Sequence, residues 1–287
     1  MYKNFFGLKS VPFSVSPDPR YLFLTKQTQE ALACLTYGIA ERKGFILLSG
    51  EVGTGKTTIL NRLLDWLHER QIATSFIFNP QLTVPEFFNF MMDDFCILCE
   101  SQMKSQMLLK LNRWLLDRYA ASERAVLIVD EAQTLSPQLL EEIRLLTNLE
   151  TPTEKLLQIV LAGQPELEVN LDQPQLRQLR QRITLRAKTC PLTLDETRQY
   201  IAERLRIAGY EGQGLFLPEA VEAAHEYSRG IPRLVNVLCE HALISAFAQE
   251  RNPIPREIIR EVAADFGLHR NEQMIQVPLW EESRRAS

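Results

Sequence analysis

No apolar run in this 287-residue chain approaches the ~18 residues that a membrane span needs. The longest, such as Phe45 to Ser49, Ala125 to Val129 and Leu156 to Ala162, have the length of buried strands. Cysteine is scarce, and Cys34, Cys96, Cys99, Cys190 and Cys239 are an odd set in apolar surroundings. That pattern excludes a disulfide scaffold and predicts reduced, buried thiols. Cys96 and Cys99 form a lone CxxC in a stretch that reads as helix, with no second pair or nearby His to complete a zinc shell, so core packing is the expected role. Glycine and proline number only 12 and 15 beside 45% hydrophobic residues, which excludes collagen-like and disordered chains. Neither sign of charge dominates: 32 Lys and Arg against 36 Asp and Glu leave a net −4, so the chain as a whole is not a basic nucleic-acid coat. The start, MYKNFFGLKSVPF, lacks the apolar stretch and small-residue cleavage site of a signal peptide, and the expected compartment is the cytoplasm.

The length predicts about two domains. An aromatic, proline-punctuated strap over residues 1–24 leads into an α/β region over 25–190. There, strand-like runs begin at Phe45, Thr74, Ala125, Leu157 and Ile183, alternating with helical patterns from Gln27, Thr57, Pro85, Leu108 and Pro137, and from Gln175 to Gln181. The helix from Pro85 is read as extending to Cys99. Thr83 with Glu86 reads as a capping box, and Ser136 before Pro137 as a helix cap. Alternation of this kind predicts a five-stranded parallel sheet covered by helices. From Leu194 apolar residues recur at three-to-four spacing, so residues 191–268 read as a small all-helical domain. The polar remainder, 269–287, reads as a loosely held tail in which Trp280 is a candidate docking residue.

Gly50-Glu51-Val52-Gly53-Thr54-Gly55-Lys56-Thr57 satisfies the GxxxxGK[ST] pattern between a strand and a helix. Loop amides and the positive helix end can cradle the phosphates of ATP. Lys56 can reach the β and γ phosphates, Thr57 can bind Mg²⁺, and Thr58 comes next at the same helix start. About 70 residues on, the run Ala125 to Val129 ends in Asp130 and Glu131. Asp130 is placed to hold Mg²⁺ and Glu131 to polarise a water attacking the γ-phosphate, which argues for hydrolysis rather than binding alone. Gln164, after the fourth strand, can contact that water or the γ-phosphate, and Asn79, after the second, can hold Glu131 in an off position. Arg177, Arg180, Arg182 and Arg186 precede or enter the fifth strand; they are either a solvated face or the source of a finger reaching a neighbouring subunit's nucleotide. Arg233, in Gly230-Ile231-Pro232-Arg233, opens a helix of the second domain, from which it could sense the γ-phosphate.

This constellation resembles the AAA+ ATPases. More closely, the stretches MYKNFFGL, PFSVSPDPRYLFL, GEVGTGKTT, VDEAQTLSPQLLEEIRLLTNLET, KLLQIVLAGQPEL, LRQLRQRI and GIPRLVN resemble the general secretion pathway protein A family and its pilus and exosortase-locus relatives. The resemblance implies a P-loop AAA+ domain with a helical lid, and a nucleotide-dependent homo-oligomer, as ring or filament. That oligomer would serve assembly of a secretion, pilus or polysaccharide-export machine, at the inner membrane through its partners. It also implies Lys56, Thr57, Asp130 and Glu131 as nucleotide and catalytic residues, Gln164 and Arg233 as sensors, and Arg182, then Arg180, as the finger. Secretion members of the family typically continue through a transmembrane helix into a cell-wall-binding region, which this sequence does not show. A second reading is an AAA+ ATPase that binds duplex DNA in transposition target selection, supported by the basic stretch Arg177 to Lys188 and opposed by the acidic balance of the whole. A third is a nucleotide-gated scaffold with little turnover.

Overall fold

A computed structural model describes residues 1–14, 19–21, 23–78, 81–101 and 103–269. It divides into two compact units, residues 15–191 and residues 1–14 with those from 192 onward. The boundary falls inside the N-terminal strap, so that segment contributes to both.

The short opening helix, α1 (Tyr2–Phe6), belongs to the second unit. The first is built on β1 (Phe45–Gly50), β2 (Ala73–Ile77), β3 (Ala125–Val129), β4 (Leu157–Gly163) and β5 (Ile183–Thr189). They form one sheet in the order β2-β3-β4-β1-β5, and every pairing is parallel. Around it lie α2 (Lys26–Ala40), α3 (Lys56–Glu69), α4 (Val84–Asp94), α5 (Lys104–Ala120), α6 (Pro137–Leu146), α7 (Pro165–Leu171) and α8 (Arg177–Arg182).

Successive side chains of a strand point to opposite faces, so a sheet covered on both needs continuous apolar runs. Phe45 and Leu47, Leu127 and Val129, and Ile159 and Leu161 join one core with Phe87 and Met91 of α4, Leu111 of α5 and Ile143 of α6. Ile46 and Leu48, Val126 and Ile128, and Val160 and Ala162 join the other with Leu35 and Ile39 of α2 and Leu60 and Leu63 of α3. The buried exception in β4 is Gln158, which is satisfied: its Oε1 accepts the Gly44 N–H at 2.7 Å and its Nε2 donates to the Lys155 carbonyl at 3.0 Å. The outer edge of β2 is blunted in part by Asp94, whose Oδ2 accepts the Phe76 N–H at 2.6 Å.

The second unit holds α9 (Leu194–Ile207), α10 (Pro218–Ser228), α11 (Pro232–Ala248) and α12 (Arg256–Asp265). Within it the buried Arg204 gathers the N-terminal segment, donating from Nε to the Pro12 carbonyl at 2.7 Å and from Nη2 to the Ser14 carbonyl at 3.3 Å. Tyr2 donates to Glu240 Oε1 at 2.6 Å, tying α1 to α11.

Two local expectations are corrected. The helix expected to reach Cys99 ends at Asp94, and Cys96 turns with φ 56, so the CxxC lies outside any helix. Burial of the thiols holds for Cys239; Cys96 and Cys190 are exposed, and Cys34 and Cys99 half-buried. The α7 helix, which opens on Pro165, is too short for its periodicity to register and went unread. Asn79 and the tail beyond His269, with Trp280, lie outside the described residues.

Candidate active site

In an open parallel sheet ligands gather at the carboxyl ends of the strands. Here the central order β3-β4-β1 brings together the residues just past those three ends: Asp130 and Glu131, Gln164, and the glycine loop.

The loop is set by backbone demands. Gly53 and Gly55 have φ 79 and 98, conformations that L side chains rarely adopt. Gly50 is needed for closeness instead: a Cβ there would lie 2.8 Å from the Thr189 carbonyl oxygen and 1.9 Å from its Oγ1 at the end of β5. Thr54 is buried, donating to the Glu51 carbonyl at 2.7 Å and sharing a 2.6 Å hydrogen bond with Thr189 Oγ1. Glu51 and Val52 are exposed, and Gly55 caps α3, which starts at Lys56.

Lys56 is only 5% exposed, and its Nζ donates to the Gly50 carbonyl at 2.7 Å and the Glu51 carbonyl at 3.0 Å. Burial pushes its ammonium below the usual lysine range, while Glu131, Asp130, Glu51 and Glu166 pull the other way. A buried cation held by carbonyls of the loop it serves can exchange them for phosphate oxygens. The exposed Thr57 donates through Oγ1 to Asp130 Oδ2 at 3.2 Å, and Thr58 sits half-buried beside it. Asp130 Oδ1 accepts the Glu131 N–H at 2.9 Å. Burial raises the Asp130 carboxyl; the Glu131 amide opposes that, the Glu131 charge adds to it, and Thr57 and Lys56 oppose it. Hydroxyl and carboxylate oxygens side by side are a hard-donor pair suited to magnesium.

Glu131 has φ 52, a conformation uncommon for residues other than glycine and concentrated at functional sites. Its Oε2 accepts from Gln164 Nε2 at 3.2 Å and from Gln133 Nε2 at 2.5 Å. Gln164 therefore stands where the strand order places it, against the candidate base. Gln133 was missed. Its local signal was thin: a polar residue two positions after Glu131, on the 3-10 turn Ala132–Thr134.

Within the α/β unit, Arg180, Arg182 and Arg186 bond to groups other than these. Arg182, half-buried, donates to Thr147 Oγ1 at 3.3 Å and Asn148 Oδ1 at 3.2 Å. Arg180 pairs with Asp172 at 2.6 Å. Arg186 and Lys188 face Glu168 at 3.6 and 3.1 Å, and Ser49 donates to the same carboxylate at 2.6 Å. Burial opposes ionisation of Glu168, but Ser49, Lys188 and Arg186 outweigh it and lower its carboxyl below the usual range. Arg233 is exposed at the second position of α11 in the helical unit, next to Gly230, whose φ is 71.

Residues 39–171 match the model of the AAA domain family. Over 256 residues the chain is 48% identical to general secretion pathway protein A of Aeromonas hydrophila, covering 88% of this chain and 46% of that protein. It thus spans about half the length of the curated relative it matches. Among solved structures, Cdc6p from Pyrobaculum aerophilum is similar with a TM-score of 0.65 at 17% identity, over 92% of this chain and 70% of that one. The Aeropyrum pernix ORC2 protein, solved in ADPNP-ADP complexes, gives 0.60 at 13%, over 84% and 67%. At such identities the likeness shows the fold alone. Loop, carboxylates, strand order and sequence identity agree: residues 39–171 carry an AAA domain on a P-loop sheet, and the chain is similar to general secretion pathway protein A over most of its own length.

Proposed function

We propose that the protein is an oligomeric ATPase that couples ATP binding and hydrolysis to assembly of an envelope machine for secretion, pilus formation or polysaccharide export. The observation that carries the chemistry is the convergence of the buried Lys56 with the Thr57, Asp130 and Glu131 group at one end of the sheet. The relative's name, general secretion pathway protein A, supports the cellular setting.

Loop amides from Gly50 to Thr57 would grip the phosphates, with Lys56 exchanging its carbonyl partners for phosphate oxygens. Thr57 and Asp130 would hold magnesium, whose contribution is to neutralise phosphate charge. Glu131 would accept a proton from the attacking water as its oxygen bonds to the γ-phosphorus and the bond from that phosphorus to the bridging oxygen breaks, leaving ADP and phosphate. Gln164 and Arg233 would sense the γ-phosphate. Arg182, with Arg180 next, would serve as the finger toward a neighbouring copy; the Arg182 hydrogen-bond partners, Thr147 and Asn148, are neutral, and the Glu150 carboxylate acts on it only through charge.

Pairing of Arg180, Arg186 and Lys188 with Asp172 and Glu168 weakens the duplex-DNA reading, because much of the basic stretch is already neutralised within the chain. The test compares wild type with Lys56→Ala in ATP hydrolysis, and measures mass by light scattering with a non-hydrolysable ATP analogue and magnesium. Turnover above the variant and a nucleotide-dependent oligomer are expected. Equal rates would end the enzyme reading, and a monomer at high concentration would end the shared-site mechanism.

A further inference from the structure

The side chain of Gln133 is committed at both ends. Its Nε2 donates to Glu131 Oε2 at 2.5 Å, and its Oε1 accepts the backbone N–H of Gln164 at 3.0 Å. A carboxylate can only accept and a backbone N–H can only donate, so the amide has one permitted orientation. Its main-chain carbonyl accepts from Asn170 Nδ2 at 3.5 Å, which ties the 3-10 turn to α7. Room for the amide comes from Gly163 at the end of β4, where a Cβ would lie 2.9 Å from Gln133 Oε1 and 2.8 Å from Leu167 Cδ2. The bridge thus spans from the turn after β3 to the residue that opens α7 after β4.

Both amide donors meet Glu131 at the same oxygen, Oε2. Its Oε1 is left as the oxygen to take a proton from water. Gln133 also joins Glu131 to the backbone of Gln164, so displacement of Gln164 by a ligand at the strand ends is transmitted to the carboxylate through one rigid amide.

We propose that Gln133 is a positioning residue for hydrolysis: it fixes the Glu131 carboxylate in its working rotamer and couples it to Gln164. The inference rests on the hydrolytic reading of the site. It predicts loss of turnover without loss of nucleotide binding, because Gln133 touches the base and not the phosphate loop.

The experiment uses Gln133→Ala, the near-isosteric Gln133→Met, and Gln133→Glu in the full chain, each checked for folding by circular dichroism and melting temperature. ATPase kcat and the Kd of a fluorescent ATP analogue are measured for each. Ala and Met are expected to lower kcat about 10- to 100-fold, the scale of a misplaced catalytic group, with Kd changed less than about twofold. Glu is the diagnostic variant: it keeps an acceptor for the Gln164 N–H but turns a repelling oxygen on Glu131, so kcat should fall at least as far as in Gln133→Ala. If Gln133 merely braced the β4 loop, Gln133→Glu would work like wild type, and that result overturns the proposal. In a Glu131→Gln background, Gln133→Ala should cost nothing more; additive losses would also overturn it. Wild-type turnover with unchanged Gln133 variants removes this proposal alone, whereas wild-type turnover no faster than Lys56→Ala removes the hydrolytic reading and the proposal with it.

Discussion

The strand-end site of the α/β unit and the interior of the helical unit use polar groups in opposite ways. In the α/β unit, Lys56, Asp130 and Glu131 lie at the open ends of strands, with partners that a ligand could replace: loop carbonyls, a hydroxyl, side-chain amides. In the helical unit, Arg204 donates to the Pro12 and Ser14 carbonyls and, at 2.6 Å, to the Tyr200 hydroxyl, which in turn donates to Asn236 Oδ1 at 2.9 Å. Each of these partners is part of the unit's own framework. Burial raises both the Asp130 carboxyl and the Tyr200 hydroxyl, so perturbed titration alone does not tell a site from a strut. The exchangeability of the partners does.

This contrast breaks most sharply at Glu131. Glu131→Gln should lower hydrolysis by roughly 10²–10⁴-fold, the scale of a general base, while leaving the melting temperature nearly unchanged. A residual rate close to wild type would show that the αL carboxylate is a strut after all. The complementary change, Arg204→Met, should leave nucleotide affinity intact but cost about 2–4 kcal/mol in urea denaturation, since two backbone carbonyls and a hydroxyl lose a charged donor. Limited proteolysis should then cut within residues 1–14, and an unchanged cleavage pattern would refute the pinning role.

A smaller effect, of informative sign, is expected at Asp130. Its folded carboxyl is raised by burial, so its contribution to stability is fully present below the unfolded value and is lost as pH rises through the folded one. Asp130→Asn should therefore raise the melting temperature of the nucleotide-free protein at neutral pH, lose that advantage in acid, and abolish magnesium-dependent nucleotide binding. A melting temperature lowered at neutral pH would contradict this assignment. The smallest change belongs to the surface of the helical unit. Arg198 pairs with Asp195 and Glu222 but is 44% exposed, and Arg198→Ala should shift stability by less than about 0.5 kcal/mol at physiological salt by the same urea assay.

Features dictated by a local rule were legible in the sequence. Strand runs such as Ala125 to Val129 could be read because both faces of the sheet are buried, and the phosphate loop because Gly53 and Gly55 need positive φ. Gln164 drew notice because strand ends are where ligands gather, and its amide meets Glu131 there. Gln133 was not read: its amide acts on a residue 31 positions away, and that meeting exists only because β4 lies beside β3. The strap was read as one segment because nothing local marks Ser14 as a boundary; its partner, Arg204, stands 190 residues further on. Cys96 was read as helical because apolar residues continue through it, although the backbone turns at φ 56.

By itself, the sequence settled the parallel sheet, the glycine loop and the acidic pair just after β3, since buried runs and backbone-restricted turns are written in neighbouring residues. Which amides grip Glu131, why Gly50 tolerates no side chain beside Thr189, and where residues 1–14 belong were decided by tertiary structure. Each of these depends on groups that adjacent strands or distant helices bring within hydrogen-bond reach, and no pattern along the chain encodes such a distance.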